Sequence, residues 1–351
     1  MKKVCTSGII LLIVSLFNFS CTPSPKKSDA VDQKIDSLLA TSEEKPFNGI
    51  ILIVQNGKAE YLKIAGFSDF DKKTPLKIDD QFVVGSVSKQ FTAAIVLQEY
   101  DNGRLDLYTP IRRYLPDLPE SWADTVTTHH LLTHTHGIVS LDKPTLFPVG
   151  TQYNYSQIGY DLLAKIAEKT SGKSFVELSD ELFKKCGMNN TFHPEMKDYK
   201  NLAKGYIEND ENKLEYTDVS LDQYPAAGAF ISSAKDLVLW NQHFFEGQLL
   251  QESTFQSMIT KQDKAIRNHP IFGITEYGYG ITVDSKDGII QWGQTGYAPG
   301  FASMNFYFPQ NKTSVIILEN VNYDISDLKK TFYYHTKILD QVRNEILKEI
   351  K

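Results

Sequence analysis

The chain of 351 residues is 41% hydrophobic and 12% aromatic. That is enough to bury a large core in one large domain or two interlocked ones, and it excludes general disorder. The formal charge of −6 comes without any Lys/Arg-rich block, so the electrostatic footprint of a nucleic-acid binder is missing.

In chain order, the first element lies outside the fold. Lys2 and Lys3 precede an apolar run over residues 9–17, too short to span a bilayer but suited to the core of an export signal, which is read as residues 1–20. Residues 21–45 follow as a linker opened by TPSPKKSD. The Ser20-Cys21 junction resembles a bacterial lipoprotein signal, although Asn18 and Phe19 depart from its usual residues. The resemblance implies an exported protein held at the membrane surface of the cell envelope by a lipid on Cys21, with plain secretion as the alternative. Of three cysteines only Cys186 falls within residues 46–351. No disulfide within the domain is expected, and Cys186 reads as a small packing residue.

The domain, residues 46–351, opens with β-rich runs at 50–54 and 59–65 around Asn56-Gly57, a strong hairpin signal. Helical patterns follow at 90–101, 158–170 and 234–245, each closed by a nearby glycine. Strand patterns return at 279–283, 289–292, 301–308 and 313–318, before a charged amphipathic helix from about 326 to 351 that reads as a solvated cover on the sheet. This order implies an α/β (α+β) fold. Its mostly antiparallel sheet is built from both chain ends and flanked by helices, with a helical lobe inserted over roughly 104–235.

The stretch VGSVSKQFTAA over residues 84–94 carries the first chemistry. If a helix begins near Ser86, a spacing of three puts Ser86 and Lys89 on one face within hydrogen-bond reach. The bland reading is a capping serine and a lysine in water. Against it, the pattern is not a capping box, and FVVG before and FTAAIVL after are apolar enough to bury the helix start. A buried lysine loses preference for its charge, so its ordinary pKa of about 10.4 falls towards values where it accepts a serine proton. The helix N-terminus adds N–H groups suited to an oxyanion.

Further segments follow in order: LLTHTHGI at 131–138, GTQYNYSQIGY at 150–160, AAGAFISSAKDL at 226–237 and WGQTGYAPGF at 292–301. With SVSK they resemble the serine β-lactamase and penicillin-binding-protein superfamily over about residues 47–318, in the branch of class C β-lactamases, DD-peptidases and related esterases and D-peptidases. The resemblance implies a β-lactamase/transpeptidase-like fold and an acyl-enzyme at Ser86, with Lys89, Tyr155 or both as general base. It implies an oxyanion hole from the backbone N–H groups of Ser86 and Tyr297, substrate contacts at Gln157, Gln294, Thr295 and Gly296, and no cofactor.

Three departures bear on the substrate. Gln157 stands where asparagine is usual, Gln294 where a basic residue is usual, and Tyr297 where a small hydroxyl residue is common. A neutral Gln294 should weaken both the recognition of a substrate carboxylate and the tuning of the tyrosine. Such a site favours a peptide, D-amino-acid derivative or small ester over the work of a dedicated β-lactamase or DD-carboxypeptidase, which is kept as an alternative. A binding protein that retains the fold without turnover is the rival of another class. His129, His130, His134 and His136 crowd together, but no H-E-x-x-H pattern occurs and the resemblance makes this segment a structural loop, so no metal is expected. No G-x-S-x-G elbow or phosphate-binding loop is present.

Overall fold

The run GIILIVQ lacks polar alternation because both of its faces are covered. A computed structural model describes residues 29–41, 45–219, 221–247 and 249–350; the segment read as an export signal, and Cys21, lie outside the described residues. In it GIILIVQ is strand β1 (Gly49–Gln55). Ile50, Leu52 and Val54 enter one apolar core, while Ile51 and Ile53 enter a second on the opposite face. Burial on both faces selects an apolar residue at every position. β2 (Lys58–Ala65) returns through Asn56 and Gly57, whose φ values of 49° and 76° suit a tight hairpin turn.

Six later strands complete the sheet: β3 (Ile266–His269), β4 (Gly273–Tyr277), β5 (Thr282–Asp284), β6 (Gln291–Ala298), β7 (Phe301–Phe308) and β8 (Thr313–Glu319). Their order is β2-β1-β8-β7-β6-β5-β4-β3 and every pairing is antiparallel. The two ends of the chain thus meet where β1 pairs with β8, Gly49 opposite Glu319 and Gln55 opposite Thr313.

Helices α1 (Asp29–Ala40), α2 (Ser88–Asp101), α3 (Ile158–Ser171), α4 (Phe175–Lys185), α5 (Ala234–Phe245), α6 (Glu252–Ile259) and α7 (Tyr333–Ile350) flank the sheet. Ile35 of α1 and Ile338, Leu339 and Val342 of α7 pack with Ile51, Ile317 and Phe306 on one face, here called the back. Helix α1 therefore corrects the reading of residues 21–45 as linker throughout. Val31, Ile35, Leu38 and Leu39 make an amphipathic stripe, and Ile35 is fully buried.

The front face carries the lobe, with α2 at its centre. Every residue of α2 except Gln98, Tyr100 and Asp101 is buried, so the helix sits between the sheet and α3 to α5 rather than on the surface. Ser174 and Glu177 close a capping box at the start of α4, and Gly172 takes a φ of 72° at the end of α3. Cys186 is buried and unbridged, as a packing residue would be.

Several boundaries differ from the sequence pattern. The run at 279–283 is a ladder only from Thr282, and the run at 289–292 belongs to a strand that starts at Gln291 and continues through the QTG segment to Ala298. The terminal helix is divided into Leu328–Thr331 and α7. The lobe also holds strands: Gly205–Glu208 pairs with Leu214–Thr217, and Gln81–Val83 pairs with Ile231–Ser233. The last pair fixes the chain just before Ser86 against the chain just before α5.

Candidate active site

The chain reaches Ser86 through a tight turn and not through a capped helix. Gly85–Val87 form one 3-10 turn that runs into α2, and no side chain caps either. Gly85 has a φ of +52°, and a Cβ there would lie 2.5 Å from the nitrogen of Tyr297. A Cβ on Gly296 would lie 2.9 Å from the nitrogen of Ser86. Only glycine permits that approach at either position. The space exists because β5 pairs with β6 only as far as Gly293, leaving the edge beyond it to the Ser86 turn. The backbone nitrogens of Ser86 and Tyr297 thus come together at one gap.

Lys89 stands on the first turn of α2 and is completely enclosed. Its Nζ donates to Gln157 Oε1 at 2.6 Å and to the Ala227 carbonyl at 2.8 Å, and lies 3.4 Å from Ser86 Oγ. Burial holds its pKa below the ordinary lysine value, and the charge of Arg267 pushes the same way, while Tyr155 opposes. A neutral amine has two N–H bonds and one lone pair. In that neutral form, unlike the ammonium, which would donate to all three, the two short acceptors would occupy the N–H bonds and leave the lone pair for the Ser86 hydroxyl. This arrangement can accept a proton from Ser86.

Tyr155 is half-buried, with its hydroxyl oxygen enclosed, in a cluster of cations and rings. Lys89 Nζ lies 4.6 Å and the Arg267 guanidinium carbon 4.1 Å from its ring centroid, with the His134 ring at 4.5 Å. Its hydroxyl oxygen has no well-aligned hydrogen bond, although Ser86 and Lys89 are near enough to act on it electrostatically. Catalytic hydrogen bonds commonly tighten only when substrate is present. Burial raises the phenol pKa, but the charges of Lys89 and Arg267 outweigh burial and leave it below the ordinary tyrosine value.

The other sequence-derived positions divide. Gln157 ends the loop before α3 and gives its Oε1 to Lys89, which makes it a clamp on that lysine. Gln294 is read from sequence as a substrate contact, but it is fully buried. Its Nε2 donates to the Tyr277 hydroxyl at 3.1 Å, and its Oε1 receives Arg267 Nη1 at 3.4 Å and Thr282 Oγ1 at 3.3 Å. Thr295 is turned away from the site: its hydroxyl meets His269 Nε2 at 3.2 Å, and its strand partner Met304 belongs to the back core. Strand alternation places Gln294 on the front and Thr295 on the back. Gly296 contributes its lack of a side chain, and the Tyr297 side chain is 37% exposed.

Sequence reasoning missed Arg267. Its segment, IRNH, matches no motif, and its strand is four residues long. It also corrects the expectation drawn from Gln294, because positive charge is present at the site from a different strand. The clustered histidines diverge into local bonds: His129 Nδ1 with the Tyr279 hydroxyl, His130 Nδ1 with Thr127, His134 Nδ1 accepting from Ser156 N, and His136 Nδ1 accepting from Ile138 N. Burial drives the His134 pKa well below the ordinary value, so its ring packs as a neutral aromatic among Tyr153, Tyr155, Tyr160 and Tyr277.

An antiparallel sheet with a helical lobe, and a serine, lysine and tyrosine gathered between them, define the serine β-lactamase and penicillin-binding-protein superfamily. The chain belongs to its beta-lactamase family, whose model matches residues 31–340. Among curated relatives, a putative penicillin-binding protein, PbpX, of Bacillus subtilis is 27% identical, over 83% of this chain and 74% of that protein. Teichoic acid D-alanine hydrolase of Staphylococcus aureus is also 27% identical, over 58% of this chain and 55% of that protein. Among solved structures, D-amino acid amidase of Ochrobactrum anthropi superposes with a TM-score of 0.77 over 90% of this chain and 99% of that one, and at 20% identity shows the shared fold.

Proposed function

We propose that the protein is an exported serine hydrolase in which Ser86 is acylated by a peptide, a D-amino-acid amide or ester, or another small ester. The observation that carries this reading is the pair of short hydrogen bonds that Lys89 Nζ donates to Gln157 Oε1 and the Ala227 carbonyl, with its remaining position directed at Ser86 Oγ. Ser86 Oγ adds to the substrate carbonyl as its proton passes to Lys89. Tyr155, beside both groups, carries a proton on to the departing nitrogen or oxygen, and the carbonyl re-forms as that bond breaks. Water then adds to the ester carbon and releases Ser86, with the same groups moving protons in reverse. The oxyanion formed in each half sits at the gap where the backbone nitrogens of Ser86 and Tyr297 meet, and each donor there is worth on the order of 3 kcal/mol of barrier.

Support for a D-configured or ester substrate comes from the kinds of relatives matched and from a site whose QTG segment carries no lysine or histidine. Support for export comes from residues 1–20, and support for lipid attachment from Cys21. Intact-mass spectrometry after incubation with a fluorophosphonate, a penicillin and a p-nitrophenyl ester tests the chemistry, and a panel of D-amino-acid amides and esters ranks the substrates. An adduct on Ser86 with ester turnover is expected. No adduct and no turnover, with ligand binding unchanged in Ser86→Ala, would instead identify a binding protein that has kept the fold.

A further inference from the structure

Arg267 is placed unlike any other cation near the site. It sits on β3, at the edge of the sheet, yet its guanidinium carbon is 4.1 Å from the Tyr155 ring centroid. Among the described residues no carboxylate lies within ion-pair distance of it. Its one side-chain hydrogen bond there runs from Nη1 to Gln294 Oε1 at 3.4 Å. Gln294 is in turn oriented from the other side, since its Nε2 donates to Tyr277 and its Oε1 also receives Thr282. A fully buried glutamine with a fixed amide direction thus presents its oxygen to a half-buried guanidinium resting on the ring of the candidate base.

We propose that Arg267 supplies from β3 the positive charge that the QTG segment lacks, and that Gln294 holds it over Tyr155 as a positioning pair for acylation of Ser86. This rests on the serine-hydrolase reading above. Its consequence is electrostatic. A cation beside Tyr155 favours the phenolate, and the same cation disfavours the ammonium of Lys89. Either group therefore becomes available as a base at lower pH, so the sign of the effect is the same whichever takes the Ser86 proton. The groups that face Tyr155 from the packed elements are Lys89 of α2, Arg267 of β3, Tyr277 of β4, Tyr160 of α3, and His134 and Tyr153 of the loops. His134 is held neutral by burial, and burial raises the pKa values of Tyr153, Tyr160 and Tyr277. That leaves Arg267, and Lys89 while it holds its proton, as the charges that act on Tyr155. Asp161 of α3, whose carboxyl pKa is pushed up by burial to about 6, opposes Arg267 at Lys89.

The test is the pH dependence of Ser86 labelling by a fluorophosphonate, followed by intact mass, in the full chain and in Arg267→Gln, Arg267→Lys and the double variant Arg267→Gln/Gln294→Lys. In Arg267→Gln the midpoint of the acid limb is expected to rise by about one pH unit, with labelling at pH 6 slowed about tenfold and the high-pH plateau nearly kept. Arg267→Lys should lie between that variant and the parent. The double variant, which returns the charge to the third motif, should bring the midpoint back towards the parent value. An equal loss at every pH would mark a structural role and overturn the proposal, as would an unmoved midpoint. If the double variant does not fold, Arg267→Lys decides: a midpoint at the Arg267→Gln value overturns the proposal, and one nearer the parent supports it. Failure of the parent protein to label at all would remove the serine-hydrolase reading together with this one, whereas normal labelling with an unmoved midpoint removes this one alone.

Discussion

The two faces of the central sheet are made from alternate residues of the same strands, yet they are built on different principles. The back face is closed by α1 and α7 over Ile51, Ile53, Ile317, Phe306 and Ile338, with few polar pairs at its margins, such as His335 Nδ1 at 3.3 Å from Glu319 and Thr295 on His269. The front face buries many polar groups and pairs many of them, although the Tyr155 hydroxyl and Gln90 Nε2 are left without a hydrogen bond. Gln90 receives Trp240 Nε1 at 2.8 Å, Thr92 donates to Ala226 at 2.6 Å, and Asn241 and Asn305 bond reciprocally at 2.8 and 2.9 Å. A buried polar group without a partner costs about 1–3 kcal/mol, so such a network is specific as well as stable. Packing is concentrated behind the sheet and chemistry in front of it, separated by one residue of strand register.

That separation can be broken experimentally, and the largest effect belongs to the front. Ser86→Ala should abolish fluorophosphonate labelling and lower ester turnover by about 10⁴-fold or more, with the melting temperature nearly unchanged. Labelling that persisted on another residue would show the nucleophile to lie elsewhere. Gly296→Ala forces the Ser86 turn away from β6, and kcat/KM should fall about 100-fold, since a displacement near 1 Å is enough for that. Steady-state kinetics on the p-nitrophenyl ester would measure it. Ile338→Ala on the back should cost about 2–4 kcal/mol in urea unfolding while the folded protein keeps its turnover within about twofold. A large loss of turnover there would mean that the two faces are coupled. The smallest effect should come from Thr295→Val, about 1–2 kcal/mol of stability for leaving buried His269 Nε2 unpaired, and within about twofold of rate. Its neighbour Gln294, changed to leucine, should shift the pH profile, because that side chain holds Arg267.

Legibility in the sequence followed the same division. Strands buried on both faces announce themselves as unbroken apolar runs, so β1, β7 and β8 could be read directly, and Asn56-Gly57 marked the first hairpin. Ser86 and Lys89 could be paired from helical spacing and from the apolar setting of the lysine. Tyr155 needed the motif around it, since nothing local separates it from the other tyrosines. The stripe of α1 was present in Val31, Ile35, Leu38 and Leu39, but was hidden behind a segment of linker composition. The opposite orientations of Gln294 and Thr295 required knowing that the QTG segment is strand, and apolar periodicity stops short of it at Trp292. Arg267 could not be found from spacing at all. It reaches Tyr155 because β3 and β4 add to the sheet beyond β5, and Arg267 is 27 residues from Gln294 and more than 100 from Tyr155 along the chain.

The pairing of β1 with β8 also sets the order in which the molecule can mature. Residues 49–55 leave the ribosome early but must wait for residues 313–319 before the sheet can close, and the Ser86 turn must wait for Gly296. Contacts so distant along the chain make folding slow, because loop closure precedes any gain from pairing. The gap between the backbone nitrogens of Ser86 and Tyr297 is therefore among the last parts of the molecule that can be assembled, and a chain ending before residue 291 should leave the Ser86 turn without its partner strand.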